Sequence, residues 1–273
     1  MNRVKVEGAS HFSVAVGLLY HPAMELRNKI ALVTGGTKGI GAATAVLFAE
    51  RGADVAIVAR NIQDDSAKET KKRIEALRRK CLLIAGDMGK SADATACVER
   101  TAAELGPVDV LVHSAGGLVA GGLLEVSPEN WYAGFDVHVH AVFHLCRAVV
   151  PAMKKKHEGA IVLISSSAGK RAIRSNIAYQ AVKGALPHIT RGLAYELADD
   201  NIRVNCVAPG VIRTPFHDNM PASVKENNLK NRIPLHREGT SEQVASLIRE
   251  MAENDYITGE TFSIDGGLTM RIC

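Results

Sequence analysis

The sequence lacks any hydrophobic run long enough to cross a membrane as a helix, since no apolar stretch in its 273 residues approaches the roughly 18 required. It has only five cysteines, which form no Cys-x-x-Cys pair and leave an odd thiol, as is typical of a reducing compartment. The charge excess is small and scattered, with 33 Lys and Arg against 29 Asp and Glu, and it does not indicate a nucleic-acid partner. We therefore expect a cytoplasmic protein without a membrane or nucleic-acid partner.

Residues 1–23 are predicted to be a poorly ordered N-terminal extension. An apolar stretch at 12–20 follows Arg3 and Lys5 as in a secretory signal, but His11 interrupts the approach to it and no Ala-x-Ala-like cleavage site follows. A tail, or a gene start placed too early, is therefore favoured over export. The domain proper is expected to span residues 24–273.

From residue 24 onward, short apolar runs alternate with longer segments of helical periodicity. The runs have the continuous apolar character of strands covered on both faces, and they lie at 30–33, 54–58, 81–85, 108–113, 160–165, 202–207 and 261–264. The helical segments lie at 42–51, 66–80, 91–105, 131–156, 179–198 and 241–252. This alternation predicts an α/β fold, a single-domain, Rossmann-type, doubly wound parallel sheet flanked by helices. Segment 215–239 has no clean periodicity and is the candidate substrate lid.

A glycine-rich turn, Thr-Gly-Gly-Thr-Lys-Gly-Ile-Gly at 34–41, connects the first predicted strand to the first predicted helix. Glycines at 35, 39 and 41 permit a tight turn and let backbone amides approach a pyrophosphate at the amino end of the helix. A plain strand–helix connection is the alternative. The position of the turn favours a dinucleotide site.

The spacing of these glycines resembles that of the short-chain dehydrogenase/reductase family, and later segments match the family in the expected order over about residues 26–268. The matching segments are Asp87 after the third strand, His-Ser-Ala-Gly at 113–116 in place of the usual Asn-Asn-Ala-Gly, Ser166 after the fifth strand, Tyr179-x-x-x-Lys183, and Asn205 leading to Pro-Gly-Val-Ile-Arg-Thr at 209–214. Bacterial 3-oxoacyl-carrier-protein reductases are a loose guide within the family.

The resemblance implies an NAD(P)-dependent oxidoreductase that acts on a small carbonyl or alcohol substrate. It places Asp87 toward the adenine ring and Lys183 on the nicotinamide ribose, and it implies a homotetramer paired through the helices near 131–156 and 179–198. The cofactor-binding residues expected from the turn and the resemblance are Gly35, Thr37, Lys38, Gly39, Ile40, Gly41, Arg60, Asp87, Met88, Ala115, Gly116, Tyr179, Lys183, Pro209, Gly210, Ile212 and Thr214.

The end of the second predicted strand favours NADP over NAD. NAD-binding proteins of this fold place a carboxylate there for the ribose hydroxyls, whereas this chain has Ala59 followed by Arg60. Arg60 and Lys38 can converge on a 2′-phosphate, and a guanidinium pairs bidentately with phosphate oxygens. The alternative is that both are solvated surface cations and the cofactor is NAD.

Tyr179, Lys183 and Ser166 are the predicted catalytic residues. Tyr179 and Lys183 lie one helical turn apart, and an ammonium about 5 Å from a phenolate stabilises it by roughly 3 kcal/mol at an effective dielectric constant of about 20. That predicts a Tyr179 pKa about two units below the free value of about 10. The resemblance assigns Ser166, 13 residues before Tyr179, to the substrate oxygen, and Ser165 and Ser167 are expected to be structural.

His138 stands where the family often has a catalytic Asn that holds a helix kink and a water for a proton relay. An imidazole there can serve in the relay and titrate near pH 6.5, or the relay is rearranged and turnover is slow; the sequence leaves both open. His113 is expected to support the backbone of the sheet. His138, His140 and His144 lack a carboxylate or thiolate that would complete a ligand set, so no metal is predicted.

The predicted function is an NADPH-dependent carbonyl reductase in which Tyr179 is the general acid. The loop 115–122 and the segment 215–239 are expected to shape the substrate pocket. One alternative is an NAD-dependent alcohol or sugar dehydrogenase. The other is a non-catalytic NADP-binding redox sensor.

Overall fold

The computed structural model describes residues 24–218 and 220–270, so the predicted extension at 1–23 lies outside the described residues. Within them, seven strands form one parallel sheet in the order β3-β2-β1-β4-β5-β6-β7. The strands are β1 Ile30–Thr34, β2 Asp54–Ala59, β3 Cys81–Ala85, β4 Val110–His113, β5 Gly159–Ile164, β6 Ile202–Pro209 and β7 Thr261–Ile264. The predicted fold class is confirmed.

Helices cover both faces of the sheet and create two separate cores. They are α1 Gly39–Glu50, α2 Asp65–Ala76, α3 Ser91–Glu104, α4 Pro128–Phe135, α5 Ala141–Lys156, α6 Ile177–Leu197, α7 Ala222–Asn227 and α8 Ser241–Glu253. Side chains of α1, α2 and α8 pack on one face, and those of α3, α5 and α6 pack on the other. Successive residues of β1 serve opposite cores, as the two-residue period of a strand requires.

The strand order reverses at β1, which has β2 on one side and β4 on the other. At such a reversal the connections leave in opposite directions, and a crevice opens beyond the carboxyl ends of the two strands. The predicted glycine turn follows β1, and the predicted segment 113–116 begins at the last residue of β4. The fold therefore brings both segments to the crevice.

The helix predicted at 131–156 is wrong as a single helix. A π-helical turn, Asp136–His140, separates α4 from α5. A π turn inserts one extra residue into a helical turn, and here it carries the buried His138. The helical period of the sequence continues through this insertion, which is why periodicity alone did not reveal it.

Two further predictions differ from the structure. The candidate lid at 215–239 contains regular structure, with a 3₁₀ turn Pro215–His217, the helix α7 and a π turn Asn228–Arg232. Strand β7 was expected to be covered on both faces, but it is partly exposed along its whole length because it lies at the edge of the sheet and pairs only with β6. None of the helices in the described part of the chain combines the length and apolar character that a membrane span requires.

Candidate active site

The glycine turn after β1 is shaped by close backbone contacts that side chains would block. Gly35 has φ +67°, and a Cβ on it would lie 2.8 Å from the backbone of Ala115. A Cβ on Gly41 would overlap the carbonyl oxygen of Gly35. No side chain caps the amino end of α1, where Lys38 is the N-cap residue, so the first amides of the helix face the turn. This cradle fits the pyrophosphate of a dinucleotide.

The segment after β6 meets the same turn, as the predicted order of motifs requires. Thr214 lies beside Gly39, its Cγ2 3.2 Å from where a Cβ of that glycine would be. Ile212 is buried and pairs with Gly239 in an isolated bridge. The structure thus brings the predicted residues at 35–41, 115–116 and 209–214 together around the crevice.

Two predicted cofactor residues after β3 occupy a tight turn. The Asp87 carboxylate accepts a hydrogen bond from the Gly89 amide at 3.0 Å, and the Asp87 amide donates to Asp93 at 2.8 Å. Met88 is buried in the core below the turn. The contact of Asp87 with an adenine ring stays a prediction.

Lys38 is paired within the protein, which the sequence reasoning missed. Its Nζ lies 2.8 Å from Oδ2 of Asp64, the N-cap residue of α2. Arg60 directly follows β2 and is exposed. The two cations predicted for a 2′-phosphate therefore differ, one being held by a carboxylate and the other pointing from an open loop. The N-cap pattern Asp-Asp-Ser at 64–66 was the sequence signal that could have identified Asp64.

Tyr179 and Lys183 lie one turn apart on α6, with the Lys183 Nζ 5.7 Å from the centre of the Tyr179 ring. The Lys183 ammonium is 7% exposed and donates to the carbonyl oxygen of Ile164 at 2.7 Å. The Ser166 hydroxyl follows β5 and interacts with the Tyr179 hydroxyl. The three predicted catalytic side chains therefore form one group. Ser165 binds the backbone of Lys183 at 2.7 Å, in agreement with its predicted structural role.

The proton of Tyr179 is held more tightly than predicted. Burial raises the pKa of Tyr179, and its hydrogen bond with Ser166 only partly opposes this. The prediction that Lys183 lowers this pKa by about two units is wrong for this arrangement, because the ammonium is directed to the Ile164 carbonyl and burial dominates. Burial also lowers the pKa of Lys183 to about 8. At neutral pH the site thus holds a protonated phenol beside a cation, which suits proton donation.

His138 contacts the site as a neutral imidazole. It is 2% exposed, its Nε2 lies 3.0 Å from the Gly117 carbonyl oxygen, and its ring meets that of Tyr179 edge-on at 6.0 Å. Because a carbonyl oxygen only accepts, Nε2 carries the proton and Nδ1 has a free lone pair; among the described residues Nδ1 has no partner. Burial, reinforced by Lys183, lowers the pKa of His138 to about 2, so the predicted titration near pH 6.5 is wrong.

His113 anchors the π turn to the sheet. Its Nε2 lies 2.9 Å from the Val137 carbonyl oxygen, and its Nδ1 lies 2.8 Å from the Thr34 hydroxyl. Nε2 therefore donates and the Thr34 hydroxyl donates to Nδ1. Burial lowers the pKa of His113 to about 4. These contacts agree with the supporting role predicted for His113.

His140 does not approach His138 as a ligand pair would; its Nδ1 lies 2.8 Å from Oδ1 of Asp136. Within residues 24–218 and 220–270, no group of three or more His, Cys, Asp or Glu side chains is placed to hold a metal ion.

An aromatic side chain from the candidate lid faces the catalytic tyrosine, and sequence reasoning did not single it out. The ring of Phe216 lies 6.1 Å from that of Tyr179 and is 43% exposed. The next residue, His217, anchors the turn through its Nδ1, 2.8 Å from the Ile212 carbonyl oxygen. Leu118, in the loop after β4, is also half exposed. Phe216 therefore forms an apolar wall beside the Tyr179 hydroxyl.

Comparisons with known proteins agree with this geometry. A family model described as enoyl-(acyl carrier protein) reductase matches residues 35–269. The 3-oxoacyl-(acyl-carrier-protein) reductase FabG of Chlamydia muridarum is 37% identical over 246 residues, 89% of this chain and 98% of the relative. The structure of acetoin dehydrogenase from Enterobacter cloacae has a TM-score of 0.81 and 34% identity, covering 89% and 96% of the two chains. That of L-sorbose reductase from Gluconobacter frateurii, complexed with NADPH and L-sorbose, has a TM-score of 0.84 and 29% identity, covering 91% and 100%.

Proposed function

This chain belongs to the short-chain dehydrogenase/reductase family, and we propose that it uses NADPH to reduce a ketone or a 3-oxoacyl-like carbonyl compound. It is an NAD(P)-dependent oxidoreductase by family membership. The observation that carries the proposed direction is the protonated, buried Tyr179, which sits beside Ser166 and the Lys183 cation. Reduction needs a proton donor at this position, whereas oxidation needs a base.

The residues around the crevice would hold the cofactor in a defined way. The amides at the start of α1 would bind the pyrophosphate, and the open space at Gly35 and Gly41 would admit it. Lys38 and Arg60 would bind the 2′-phosphate, and Lys183 the nicotinamide ribose. When bound, the nicotinamide supplies a hydride. L-sorbose reductase, similar over most of this chain, is described with NADPH, which supports the cofactor assigned.

The protein's own residues would handle the proton. The Ser166 hydroxyl would donate to the substrate carbonyl oxygen and stabilise the negative charge that develops there. Tyr179 would then transfer its hydroxyl proton to that oxygen, which leaves a phenolate. Lys183 would stabilise the phenolate, because opposite charges attract strongly in a buried site. His138 has a free lone pair at Nδ1 and no proton there to give, so in this proposal it accepts a hydrogen bond and does not act as an acid.

The substrate pocket would favour an apolar group next to the carbonyl. Phe216 presents its ring to the Tyr179 side, and the loop after β4 contributes the half-exposed Leu118. An apolar substituent that covers these surfaces removes them from water, which is favourable by about 25 cal/mol per Å². Acyl chains and alkyl or aryl ketones fit this surface better than polyols.

An NAD-dependent alcohol dehydrogenase is the second candidate, and the Lys38–Asp64 ion pair favours it. A carboxylate at 2.8 Å partly cancels the charge of the predicted phosphate ligand. Acetoin dehydrogenase is among the similar structures.

The two candidates are separated by binding and by direction. We expect NADPH to bind more tightly than NADH in fluorescence titrations. We also expect a panel of apolar ketones, followed by absorbance of the reduced cofactor, to be turned over faster at neutral pH than the matching alcohols with oxidised cofactor. Tighter binding of NADH together with faster alcohol oxidation would favour the second candidate.

We also propose that the chain forms a homotetramer through α4, α5 and α6, as the family resemblance implies. Exposed aromatic side chains on these helices support it: Tyr132 on α4, Phe143 on α5 and Tyr195 on α6. Aromatic residues are enriched in protein interfaces.

A further inference from the structure

We propose that Asp64 is a specificity-determining residue, which weakens the preference for NADPH over NADH by competing with the 2′-phosphate for Lys38. The proposal rests on the proposed function in one respect, because it takes Lys38 to be a ligand of that phosphate. It concerns a residue outside the motifs through which the chain resembles its family.

Asp64 is held in place by the backbone of α2. Its Oδ1 accepts a hydrogen bond from the Ala67 amide at 2.9 Å, which caps the helix, and its Oδ2 lies 2.8 Å from the Lys38 Nζ. Both contacts stabilise the ionised carboxylate and lower the pKa of Asp64. The carboxylate is therefore charged at neutral pH and cannot swing away without uncapping the helix.

Lys38 is the mobile partner of this pair. Its side chain is 49% exposed, against 26% for Asp64, and it extends from the glycine turn that follows β1. Because β1 and β2 are neighbours in the sheet, the turn after β1 and the loop after β2 lie side by side. An exposed ion pair of this kind contributes at most about 1 kcal/mol, so a phosphate can take Lys38 from it.

The fixed carboxylate has a different effect on the two cofactors. With NADPH, Lys38 must leave or share Asp64, and the carboxylate then stands near a second anion, which is unfavourable. NADH carries hydroxyls at this position and meets no such repulsion. Arg60 pairs with no acidic side chain within residues 24–218 and 220–270, so it would supply the phosphate contact that Asp64 does not moderate.

The test compares two neighbouring carboxylates at the start of α2. Asp64→Asn removes the charge but keeps an N-cap residue, because Asn caps helices as well as Asp does. Asp65→Asn is the matched control, since Asp65 is adjacent, exposed and faces Lys68 at 3.9 Å. Affinities of the wild type and both variants for NADPH and NADH are measured by titrating the fluorescence of the reduced nicotinamide, with thermal unfolding as the check on folding.

We expect Asp64→Asn to tighten NADPH binding about three- to ten-fold and to change NADH binding less than about two-fold. Asp65→Asn should change either affinity by less than about two-fold, because its charge is exposed and screened. The gain in Asp64→Asn should shrink at high salt. It should also disappear in a Lys38→Ala background, since the effect acts through Lys38.

Unchanged or weaker NADPH binding in Asp64→Asn would overturn the proposal. An equal gain in Asp65→Asn, or a gain that persists without Lys38, would also overturn it, because either result would reflect only the general field of the helix. The NADPH preference itself is judged separately, from the two affinities of the wild type. A wild type that favours NADH would contradict the proposed function whatever the two Asn variants do.

Discussion

Tyr179 is surrounded by groups that keep its proton in place until a substrate oxygen needs it. Burial opposes ionisation of the phenol, while Ser166 contributes a hydrogen bond that makes ionisation easier. The nearby Lys183 ammonium is occupied by a backbone carbonyl at 2.7 Å. Such an acid is strong enough to donate only when negative charge develops on the acceptor, which is the behaviour a carbonyl reductase requires.

Tyr179→Phe is therefore expected to lower the reductase rate about 10²- to 10⁴-fold, since general acid catalysis contributes that much. The ring and its packing remain, so NADPH affinity should stay close to that of the wild type. Steady-state kinetics and fluorescence titration check the two parts. Tyr195→Phe, an exposed tyrosine on the same helix, is the control and should keep full activity. A fully active Tyr179→Phe enzyme would remove this hydroxyl from the mechanism.

At the scale of elements, the glycine turn and the π turn are both defined by contacts between backbones. The turn after β1 approaches Ala115 so closely that a side chain at Gly35 would collide with it. The π turn is tied to the sheet through His113 and to the loop after β4 through His138. These two elements bring the cofactor cradle and the proton-transfer group to the same crevice.

Two glycine-to-alanine variants should have opposite effects. At Gly41 the new methyl group would overlap the Gly35 carbonyl, so Gly41→Ala should sharply weaken NADPH binding and destabilise the protein. At Gly192, inside α6, a Cβ would meet nothing within 4 Å. Gly192→Ala should therefore raise the free energy of unfolding by roughly 0.5–1 kcal/mol, the helix propensity difference. Urea unfolding and cofactor titration measure both; Gly41→Ala binding NADPH like the wild type would contradict the close approach.

The two buried histidines should make stability depend on pH below neutrality. Burial lowers the pKa of His113 to about 4 and that of His138 to about 2, whereas both take protons near pH 6.5 in the unfolded chain. The unfolded state thus binds more protons as the pH falls from 6.5 toward 4. The stabilisation is complete above about pH 6.5 and is lost below it, by up to about 1.4 kcal/mol per pH unit for each histidine.

Urea unfolding at pH 5, 6 and 7 tests this dependence. His113→Asn keeps a donor for the Val137 carbonyl and should give a shallower slope than the wild type. His188→Asn removes an exposed histidine of α6 and is expected to leave the slope unchanged. Equal slopes in all three proteins would mean that His113 takes up its proton in the folded state.

At the scale of the whole molecule, one sheet separates two hydrophobic cores, and its carboxyl edge carries the site. The outer faces of α4, α5 and α6 are covered by no other element at Tyr132, Phe143 and Tyr195. Phe143 is also stacked by Arg147, whose guanidinium carbon lies 5.3 Å from the ring centre.

Sedimentation velocity is expected to give a species with the mass of four chains, because these aromatic surfaces become buried when copies pair. Replacing Tyr195 and Phe143 with charged residues should reduce that mass while thermal unfolding of the chain stays cooperative. A monomer at micromolar concentration in the wild type would contradict the proposed assembly.

The local pattern of the sequence determined the strands, the glycine turn and the Tyr-Lys spacing, because these depend on residues close together in the chain. Apolar runs bounded by turns identified six strands with correct burial, and only β7 differed, since its position at the sheet edge depends on the order of all the strands. The tertiary structure alone decided the π turn at His138, the pairing of Lys38 with Asp64, the place of Phe216 beside Tyr179, and the raised pKa of that tyrosine. Each of these depends on burial or on contacts between segments far apart in the chain, and no local spacing encodes the solvent that such contacts exclude.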